Sequence, residues 1–287
     1  MIETHGLASM TDGALIRWTA AGARTRRPPV VMLHGGPGLP DYLGDVAPAI
    51  AGLAPVHRYD QRGTGGSRWQ GRHTFARHVA DLAELLDGWD APQAVLIGHS
   101  YGADLAVRFC LAHPERVAAV LLMCGPMTDE GRPGYRAERD RRMSPARQER
   151  LRELEGIARR TDDQEVELLA LSWFTDHADP DHGWRRAVRS ARRRRPVNWE
   201  MNRELGAQRR ADPIEQHLDE LRGCLPPRTE ILGGTADPRP VSALESLART
   251  LGVPLTRIAG AGHEPWLEEP DAVRAHLRRF VRAAVGH

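Results

Sequence analysis

Three residues of the sequence have the types and positions needed for nucleophilic catalysis: Ser100, Asp237 and His263. A neutral serine hydroxyl is a weak nucleophile, so it needs a base within hydrogen-bond reach and an acid that fixes the tautomer of that base. The sequence predicts that His263 is this base and that Asp237 is this acid. Their order along the chain, serine, aspartate and then histidine, is one of the known orders of a catalytic triad.

Ser100 is the central residue of the segment Gly98-His99-Ser100-Tyr101-Gly102. The segment follows an apolar strand pattern and begins a helical pattern, which is the context of a nucleophile elbow. A serine in so sharp a turn has a strained backbone, and a side chain two residues before or after it would collide with neighbouring backbone. Gly98 and Gly102 are therefore expected to be required, and the serine hydroxyl is expected to project beside the positive end of a helix.

Asp237 and His263 each follow a predicted strand, in loops rich in glycine and proline. Asp237 lies in LGGTADPRP at 232–240, and His263 lies in AGAGHEPW at 259–266. The alternative for Asp237 is an ordinary turn aspartate, in which case Asp129, after the fourth predicted strand, is the rival acid. The other twelve histidines lack the placement of His263.

The segment His34-Gly35-Gly36-Pro37-Gly38 follows the first predicted central strand. Acyl transfer develops negative charge on the former carbonyl oxygen, and preorganised backbone N–H groups stabilise that charge. We expect the N–H groups of Gly36 and Tyr101 to form this oxyanion hole, while His34 supports the loop by hydrogen bonding. The alternative is a plain turn rich in glycine and proline.

These residues need a sheet to position them, and the apolar patterns predict one. Buried strands are predicted at 29–33, 55–59, 93–97, 117–123, 228–232 and 255–258, and helices at 76–89, 101–113 and 271–284. Such alternation of strands and helices is typical of an α/β fold with a parallel sheet. Residues 125–223 are rich in Arg and Glu and helical in period. The predicted organisation is therefore a core at 1–124, a helical cap inserted at 125–223, and the rest of the core at 224–287.

Composition and charge exclude several classes of protein. The 287 residues are 41% hydrophobic and 27% charged, as in an ordinary globular chain, and the formal net charge of +2 gives no field that favours nucleic acid or membrane. Cys110, Cys124 and Cys224 are too widely spaced for a disulfide framework or a zinc site. No segment reaches the ~18 apolar residues of a membrane span, and the first residues lack the pattern of a signal peptide. We expect a cytoplasmic protein without metal or organic cofactor, and the oligomeric state stays open.

Taken together, these motifs resemble the α/β-hydrolase superfamily over the whole chain except the predicted cap. The pairing of the His34–Gly38 segment with DQRGTGGS at 60–67 is similar to the proline iminopeptidase branch, whose members are serine peptidases that remove an N-terminal residue, preferably proline. The resemblance implies an α/β-hydrolase fold, with a mostly parallel central sheet flanked by helices and an inserted helical cap. It also implies that Asp60 and Arg62 brace the oxyanion loop and take no part in the chemistry.

The resemblance implies substrate-binding residues as well. Family members recognise the free amino terminus of the substrate with cap carboxylates, one of which follows a tryptophan, and Trp199 with Glu200 could supply that element. Glu200 would pair with the substrate ammonium, and the indole of Trp199 would pack on a proline ring; the alternative is a solvated glutamate beside a core tryptophan. Trp266 is expected at the mouth of the pocket or in the core. The arginine run at 192–195 is expected to be a solvated helix end, with substrate steering or partner binding as the alternative.

Two substrate classes stay open at this stage. Many proline iminopeptidases have glycine before and tryptophan after the nucleophile, whereas this chain has His99 and Tyr101, a form shared with more general esterases. The preferred prediction is a serine hydrolase that releases an N-terminal proline or small residue from a short peptide or aminoacyl amide. The alternative is a carboxylesterase or lactonase acting on a small-molecule ester, including esters of secondary metabolism. A catalytically silent binding module is a third hypothesis, since folds of this kind also serve as receptors.

Overall fold

An eight-stranded sheet forms the centre of the protein in a computed structural model that describes residues 3–22, 25 and 27–286. The strands are β1 (Glu3–Ser9), β2 (Leu15–Ala21), β3 (Val30–Leu33), β4 (Val56–Tyr59), β5 (Ala94–His99), β6 (Val117–Met123), β7 (Thr229–Gly234) and β8 (Leu255–Ile258). Their spatial order is β1-β2-β4-β3-β5-β6-β7-β8. The strands from β4 to β8 in this order are parallel, and β1 and β2 pair antiparallel at one edge. The predicted α/β class with a mostly parallel sheet is confirmed.

Helices cover both faces of this sheet and fill the chain between β6 and β7. They are α1 (Phe75–Gly88), α2 (Tyr101–Ala112), α3 (Gly131–Arg142), α4 (Pro145–Glu155), α5 (Asp162–Trp173), α6 (Pro180–Arg193), α7 (Trp199–Ala211), α8 (Leu218–Cys224), α9 (Val241–Leu251), α10 (Pro265–Glu268) and α11 (Pro270–Ala284). The six predicted strands and three predicted helices are all present, with ends shifted by at most two residues. None of the helices in the described ranges is long and apolar enough to cross a lipid bilayer.

The hairpin of β1 and β2 was not among the predicted strands. The side chains of β1 are exposed or half-buried along its whole length, and Leu7 is 62% exposed. The strand therefore lacks the alternation of apolar and polar residues by which a half-buried strand is recognised. It is held by pairing with β2, whose residues from Trp18 to Ala21 pair with β4.

Two hydrophobic clusters lie on opposite faces of the sheet, as the period of two in a strand requires. In β3, Val31 and Leu33 belong to the cluster under α1, α2 and α9, while Val30 and Met32 belong to the cluster under α11. The parallel strands are buried on both faces, which explains their unbroken apolar sequences. Because these strands point the same way, the loops that follow β3, β5, β7 and β8 meet at one edge of the sheet.

The segment between β6 and β7, which we call the helical segment (residues 125–224), has no strand among its residues, all of which are described. Its helices α4 to α6 have a hydrophobic cluster of their own, which includes Leu154, Leu168 and Phe174. At its end, Ile214 and Leu221 instead pack into the core beside α2. The helical segment therefore has a separate cluster but returns to the main core before β7 begins.

Candidate active site

Ser100 lies at the junction of β5 and α2, with φ of 54° and ψ of −119°. A Cβ atom on Gly98 would come within 2.3 Å of the carbonyl oxygen of Gly102, and one on Gly102 would come within 2.0 Å of the carbonyl oxygen of Leu33. Only glycine fits at either position, which confirms the steric argument for the sequence motif. The Ser100 hydroxyl makes no hydrogen bond with any described residue and faces the cavities at this edge of the sheet.

Asp237 follows β7 and His263 follows β8, and the structure brings both to Ser100. The His263 Nδ1 atom lies 2.6 Å from Asp237 Oδ2, and His263 and Ser100 line the same cavity. Although burial raises it, the interactions with His263 and Arg239 lower the pKa of Asp237 to about 2. The carboxylate can then only accept a hydrogen bond, so Nδ1 carries the proton and Nε2 is left to accept one. The rival acid, Asp129, is exposed and pairs with Arg132.

Arg239 and Asp176, which the sequence did not single out, hold the acid and the histidine from outside the triad. The Arg239 Nη1 atom lies 2.8 Å from Asp176 Oδ1 and 3.2 Å from Asp237 Oδ1, and the guanidinium packs over the ring of Tyr135 at 4.6 Å. The backbone N–H of His263 donates to the carbonyl oxygen of Asp176 at 2.8 Å. Asp176 lies in the helical segment, so that segment contacts the triad directly.

Gly36 and Tyr101, the two predicted oxyanion-hole residues, both line a cavity with Ser100. Tyr101 is the first residue of α2, so its N–H has no acceptor within the helix. Across the described residues, no hydrogen bond uses the N–H of Gly36, whose φ of 134° suits glycine alone. The arrangement leaves two backbone donors beside the serine.

The oxyanion loop is braced by Gln61. Its backbone N–H donates to His34 Nε2 at 3.2 Å, and its side-chain amide donates to the His34 carbonyl oxygen at 2.8 Å. His34 Nε2 is therefore an acceptor, so Nδ1 carries the proton that His34 donates to the Gly35 carbonyl oxygen at 2.9 Å. Burial lowers the pKa of His34, and this buried, neutral ring supports the loop as expected.

Asp60 and Arg62, which the resemblance assigns to bracing the same loop, have different partners. The Asp60 carboxylate accepts from the backbone N–H of Asp41 at 2.9 Å and so ties the segment after the loop to β4. Arg62 is fully buried and forms ion pairs with Asp12 and Asp81. Arg62 therefore braces α1 and the N-terminal hairpin, and the direct contact with the oxyanion loop comes from Gln61 between them.

His99 joins the oxyanion loop to the histidine loop. Its Nε2 lies 2.8 Å from the carbonyl oxygen of His263, and its Nδ1 lies 2.6 Å from the Tyr42 hydroxyl. Burial, with the neighbouring ring of His263, lowers the pKa of His99 to about 3, so the ring of His99 is neutral and Nε2 is its donor. The Tyr42 hydroxyl then donates to Nδ1 and itself accepts from the N–H of Gly35 at 2.8 Å. The result is a continuous chain of hydrogen bonds behind Ser100.

The arginine run at 192–195 was expected to be a solvated helix end, and for Arg194 this is wrong. The first two arginines of the run are exposed, but both terminal nitrogens of Arg194 pair with the carboxylate of Glu264, and its guanidinium stacks over Tyr42 at 4.0 Å. Although burial raises it, this arginine lowers the pKa of Glu264 to about 2. The physical reason is position: Arg194 follows α6 at the point where the helical segment meets the loop of His263.

Trp199 and Glu200 do not meet Ser100. The Trp199 indole donates to Glu165 at 2.7 Å and packs against the cluster of the helical segment, and Glu200 is exposed. Neither lines a cavity at Ser100 in the part of the chain that the structure describes. The start of α7 instead docks through Asn198, whose backbone N–H donates to the Gly38 carbonyl oxygen at 2.8 Å. The geometry thus matches the alternative of a solvated glutamate beside a core tryptophan.

Trp266 is a core residue rather than a residue of the pocket mouth. It is 8% exposed and belongs to the cluster under α11. Its ring stacks near Tyr42 at 6.4 Å and meets His99 edge-on at 4.7 Å. Of the two predicted placements the core is the one observed, and the indole supports the ring of His99 from behind.

Two cavities meet at Ser100 and share Gly36, Tyr135 and Arg239. One has a volume of about 170 Å³ and includes His263 in its lining. The other has a volume of about 240 Å³ and extends past Tyr101 along α2. A larger cavity of about 860 Å³ lies at the opposite end of the sheet, between residues such as Trp18 and Trp89, and contains none of the predicted site residues.

His99, Cys124 and His263 are the one group of metal-type ligands found in the described ranges, with donor atoms within 4.8 Å of one another. Both ring nitrogens of His99 are already hydrogen bonded, and His263 Nδ1 faces Asp237. Burial raises the pKa of the Cys124 thiol, whereas metal binding needs the thiolate. These three residues therefore do not fit a metal ion in this arrangement.

Comparison with known proteins agrees with this architecture. A family model described as the alpha/beta hydrolase fold matches residues 28–270. Proline iminopeptidase of Heyndrickxia coagulans is 36% identical over 123 residues, 41% of this chain and 42% of that protein. Epoxide hydrolase B of Mycobacterium tuberculosis is 37% identical over 108 residues, 36% of this chain and 30% of that protein. The chain thus spans well under half the length of the curated relatives it matches.

Solved structures resemble the whole chain. A proline iminopeptidase-related protein of Thermus thermophilus superposes with a TM-score of 0.68 at 19% identity and covers 99% of both chains. A thermophilic esterase of Thermogutta terrifontis gives a TM-score of 0.69 at 22% identity and covers 98% of this chain and 99% of its own. At these identities the likeness establishes the fold and leaves the substrate open.

Proposed function

The chain belongs to the alpha/beta hydrolase family, and from this premise we propose that it is a serine hydrolase that works through an acyl-enzyme. Ser100 is the nucleophile, His263 the general base, and Asp237 the acid that orients the histidine. One observation carries the proposal: Ser100, held at φ of 54°, lines the same cavity as His263, whose Nδ1 lies 2.6 Å from Asp237.

In this mechanism the Ser100 hydroxyl oxygen attacks the substrate carbonyl carbon while His263 Nε2 takes the hydroxyl proton. The N–H groups of Gly36 and Tyr101 stabilise the oxyanion. His263 then gives the proton to the leaving group as its bond to the carbonyl carbon breaks. A water molecule, deprotonated by the same histidine, attacks the acyl-enzyme, and the proton returns to Ser100 as the acid product leaves.

The position of His263 supports an assignment of the two cavities to the two halves of the substrate. Because His263 protonates the leaving group, the leaving group occupies the cavity of about 170 Å³ that His263 lines. The acyl group then occupies the cavity of about 240 Å³ beside Tyr101, which we call the acyl-side cavity. The helical segment contributes Asp176 and Arg194 to the first and Arg209 to the second, which supports its role as a cap that shapes the pocket.

The substrate is a small ester or amide, and removal of an N-terminal proline or small residue is the finer candidate. The similarity to proline iminopeptidase of Heyndrickxia coagulans supports that candidate, as does the pairing of the His34–Gly38 segment with residues 60–67. The exposure of Glu200 weakens it, and the carboxylate that lines the acyl-side cavity is Asp104 instead. The alternative candidate is a carboxylesterase or lactonase acting on a small-molecule ester.

A fluorophosphonate probe tests the nucleophile. We expect it to label Ser100 in the wild-type protein and to leave the Ser100→Ala variant unlabelled. Hydrolysis of 4-nitrophenyl butyrate should be lost in the same variant, because the remaining oxyanion donors alone give only weak catalysis. Labelling at another residue, or equal hydrolysis by both proteins, would refute the assignment of Ser100.

Prolyl 4-nitroanilide and its N-acetylated counterpart test the finer candidate. Cleavage of the free-amine substrate alone, lost in Ser100→Ala, would support release of an N-terminal proline. If Ser100 reacts with the probe but neither anilide is cleaved, the aminopeptidase activity is refuted and the esterase or lactonase candidate stands.

A further inference from the structure

The lining of the acyl-side cavity is unusually rich in arginine. Four of its eleven lining residues are arginines: Arg132, Arg136, Arg209 and Arg239. Asp104 is the one carboxylate in the lining. The charges of two of these arginines are already compensated by aspartates outside the lining of the cavity. Arg239 pairs with Asp176 and Asp237, and Arg132 pairs with Asp129.

The other two arginines are poorly compensated. Arg136 is exposed to solvent and has no ion pair or hydrogen bond with any residue that the structure describes, so its charge is available at the mouth of the cavity. Arg209 has a single loose ion pair, 3.6 Å from Asp104, and its Nε atom is buried without an acceptor in the described ranges. A buried donor without a partner is unfavourable, so a ligand that supplies an acceptor there is stabilised.

We propose that the acyl-side cavity binds a carboxylate on the acyl group of the substrate, so that the preferred substrate is an ester of a short dicarboxylic acid. Arg209 and Arg136 are the residues that recognise the carboxylate. The inference rests on the proposed acyl-enzyme function, since it assigns the acyl group to this cavity. A guanidinium group suits a carboxylate because it offers several N–H donors in one plane.

The volume of the cavity limits the length of the acyl group. About 240 Å³ holds roughly eight water-sized groups at about 30 Å³ each. A succinyl or glutaryl group has a similar number of heavy atoms. In the reaction, Ser100 displaces the alcohol from the carbonyl carbon, and hydrolysis of the acyl-enzyme releases the dicarboxylate and restores the serine.

Asp104 is the one residue of the acyl-side cavity that favours a positively charged acyl group. It is 2% exposed, and its Oδ2 has no hydrogen-bond partner among the described residues; burial raises its pKa to about 6. A substrate ammonium would find an acceptor there, but it would lie beside Arg209, which is 3.6 Å from the same carboxylate, with the exposed Arg136 at the mouth of the cavity. The balance of charge in the lining therefore favours an anionic acyl group. Binding of an ammonium group is the alternative that the experiment must exclude.

The test compares two esters that differ only in charge. Mono(4-nitrophenyl) glutarate carries a terminal carboxylate, and 4-nitrophenyl 5-methylhexanoate has an isopropyl group of the same shape in its place. We expect the wild-type kcat/KM, corrected for spontaneous hydrolysis, to be about tenfold or more higher for the glutarate ester, as a hydrogen bond to a charged group implies. The preference should shrink as salt concentration rises.

Two variants and a control locate the effect. Arg209→Gln should lower the ratio of kcat/KM for the glutarate ester to kcat/KM for the neutral ester about tenfold. Arg210→Gln is the control, because Arg210 is the exposed neighbour of Arg209 and does not line the acyl-side cavity. Asp104→Asn should raise the preference for the glutarate ester, because it removes the negative charge from the lining.

The outcomes separate the inference from the function on which it rests. If the neutral ester is hydrolysed at least as fast as the glutarate ester, the inference is overturned and the serine hydrolase stands. It is also overturned if prolyl 4-nitroanilide is cleaved and Asp104→Asn abolishes that cleavage, or if Ser100 is labelled while neither ester is hydrolysed. If neither ester reacts and the fluorophosphonate probe does not label Ser100, both the proposed function and the inference that rests on it are refuted. Since the comparison of the esters uses wild-type protein, poor folding of Arg209→Gln would not prevent a decision.

Discussion

The Tyr42→Phe substitution removes one hydroxyl group from the middle of the hydrogen-bond chain behind Ser100. That hydroxyl accepts from the Gly35 N–H at 2.8 Å and donates to His99 Nδ1 at 2.6 Å. Phenylalanine keeps the ring that lies under Arg194 and beside Trp266. The substitution therefore deletes two hydrogen bonds and little packing.

The loss of stability can be estimated from the polar groups that the Tyr42→Phe substitution leaves without a partner. A buried polar group left unsatisfied costs about 1–3 kcal/mol. The Gly35 N–H and His99 Nδ1 are two such groups, which gives a sum of about 2–6 kcal/mol. Because both hydrogen bonds are only partly buried, we expect the free energy of unfolding to fall by the lower part of this range, about 2–4 kcal/mol. The total stability of a domain is about 5–15 kcal/mol, so the variant should fold but unfold at clearly lower urea concentration.

Catalysis should suffer as well, because the two ends of this chain of hydrogen bonds belong to the site. Gly35 precedes Gly36, the expected oxyanion donor, and His99 holds the carbonyl oxygen of His263 at 2.8 Å. If loosening both loops costs about 1.4 kcal/mol of transition-state stabilisation, kcat for 4-nitrophenyl butyrate falls about tenfold.

The matched control is Tyr59→Phe. Tyr59 is 3% exposed, and its hydroxyl is buried without a hydrogen-bond partner in the part of the chain that the structure describes. Its removal should change the free energy of unfolding by less than about 0.5 kcal/mol or stabilise the protein slightly. Urea unfolding and initial rates would be measured for the wild type and both variants. If the two variants unfold within about 0.5 kcal/mol of each other and retain wild-type kcat, the hydrogen-bond chain does not do what its geometry implies.

Two further predictions concern the buried ion pairs. Arg239→Met should lower the free energy of unfolding by about 3–5 kcal/mol, since it leaves Asp176 and Asp237 buried without their cation; unchanged thermal unfolding would contradict this. Glu264 has a folded-state pKa of about 2 against an ordinary 4.5, so its pairing with Arg194 stabilises the fold fully above about pH 4.5 and loses that effect as pH falls toward 2. The stability difference between wild type and Glu264→Gln should therefore be smaller at about pH 3 than at about pH 6 in urea unfolding, and an equal difference at both pH values would show that the pairing is not the cause.

Local sterics and periodicity explain which features the sequence could predict. The turn at Ser100 needs glycine at 98 and 102 because backbone atoms come within 2.3 Å and 2.0 Å of any Cβ there, and such a requirement is visible in five consecutive residues. The parallel strands show as apolar runs because both their faces are buried. Once these strands are assigned, the loops that follow them must meet at one edge, which is why Asp237 and His263 could be paired although 26 residues separate them.

The features that the sequence could not predict depend on partners far apart in the chain. Arg239 and Asp176 are separated by 63 residues, and Arg194 and Glu264 by 70. Neither pair has a spacing that a helix or a strand would repeat. The direction of a side chain from a helix end is equally hard to infer, and Glu200 points to solvent although the start of α7 contacts the oxyanion loop.

The arginines of the helical segment fall into two groups, of which only one has partners that could be predicted from the sequence. One group pairs within a helix, as Arg141 does with Glu138 and Arg152 with Glu149, both at a spacing of three residues. Such exposed pairs contribute little to stability and follow from composition alone.

The other group reaches across the boundary between the helical segment and the core, as Arg194 does to Glu264 and Arg209 to Asp104. These contacts fix the position of the segment over Ser100 and at the same time set the charge of the two cavities. A substitution that alters substrate preference here therefore also alters how the segment is held. For this reason a change in charge preference is meaningful only when each variant is compared on two esters of the same shape, so that any displacement of the segment affects both rates alike.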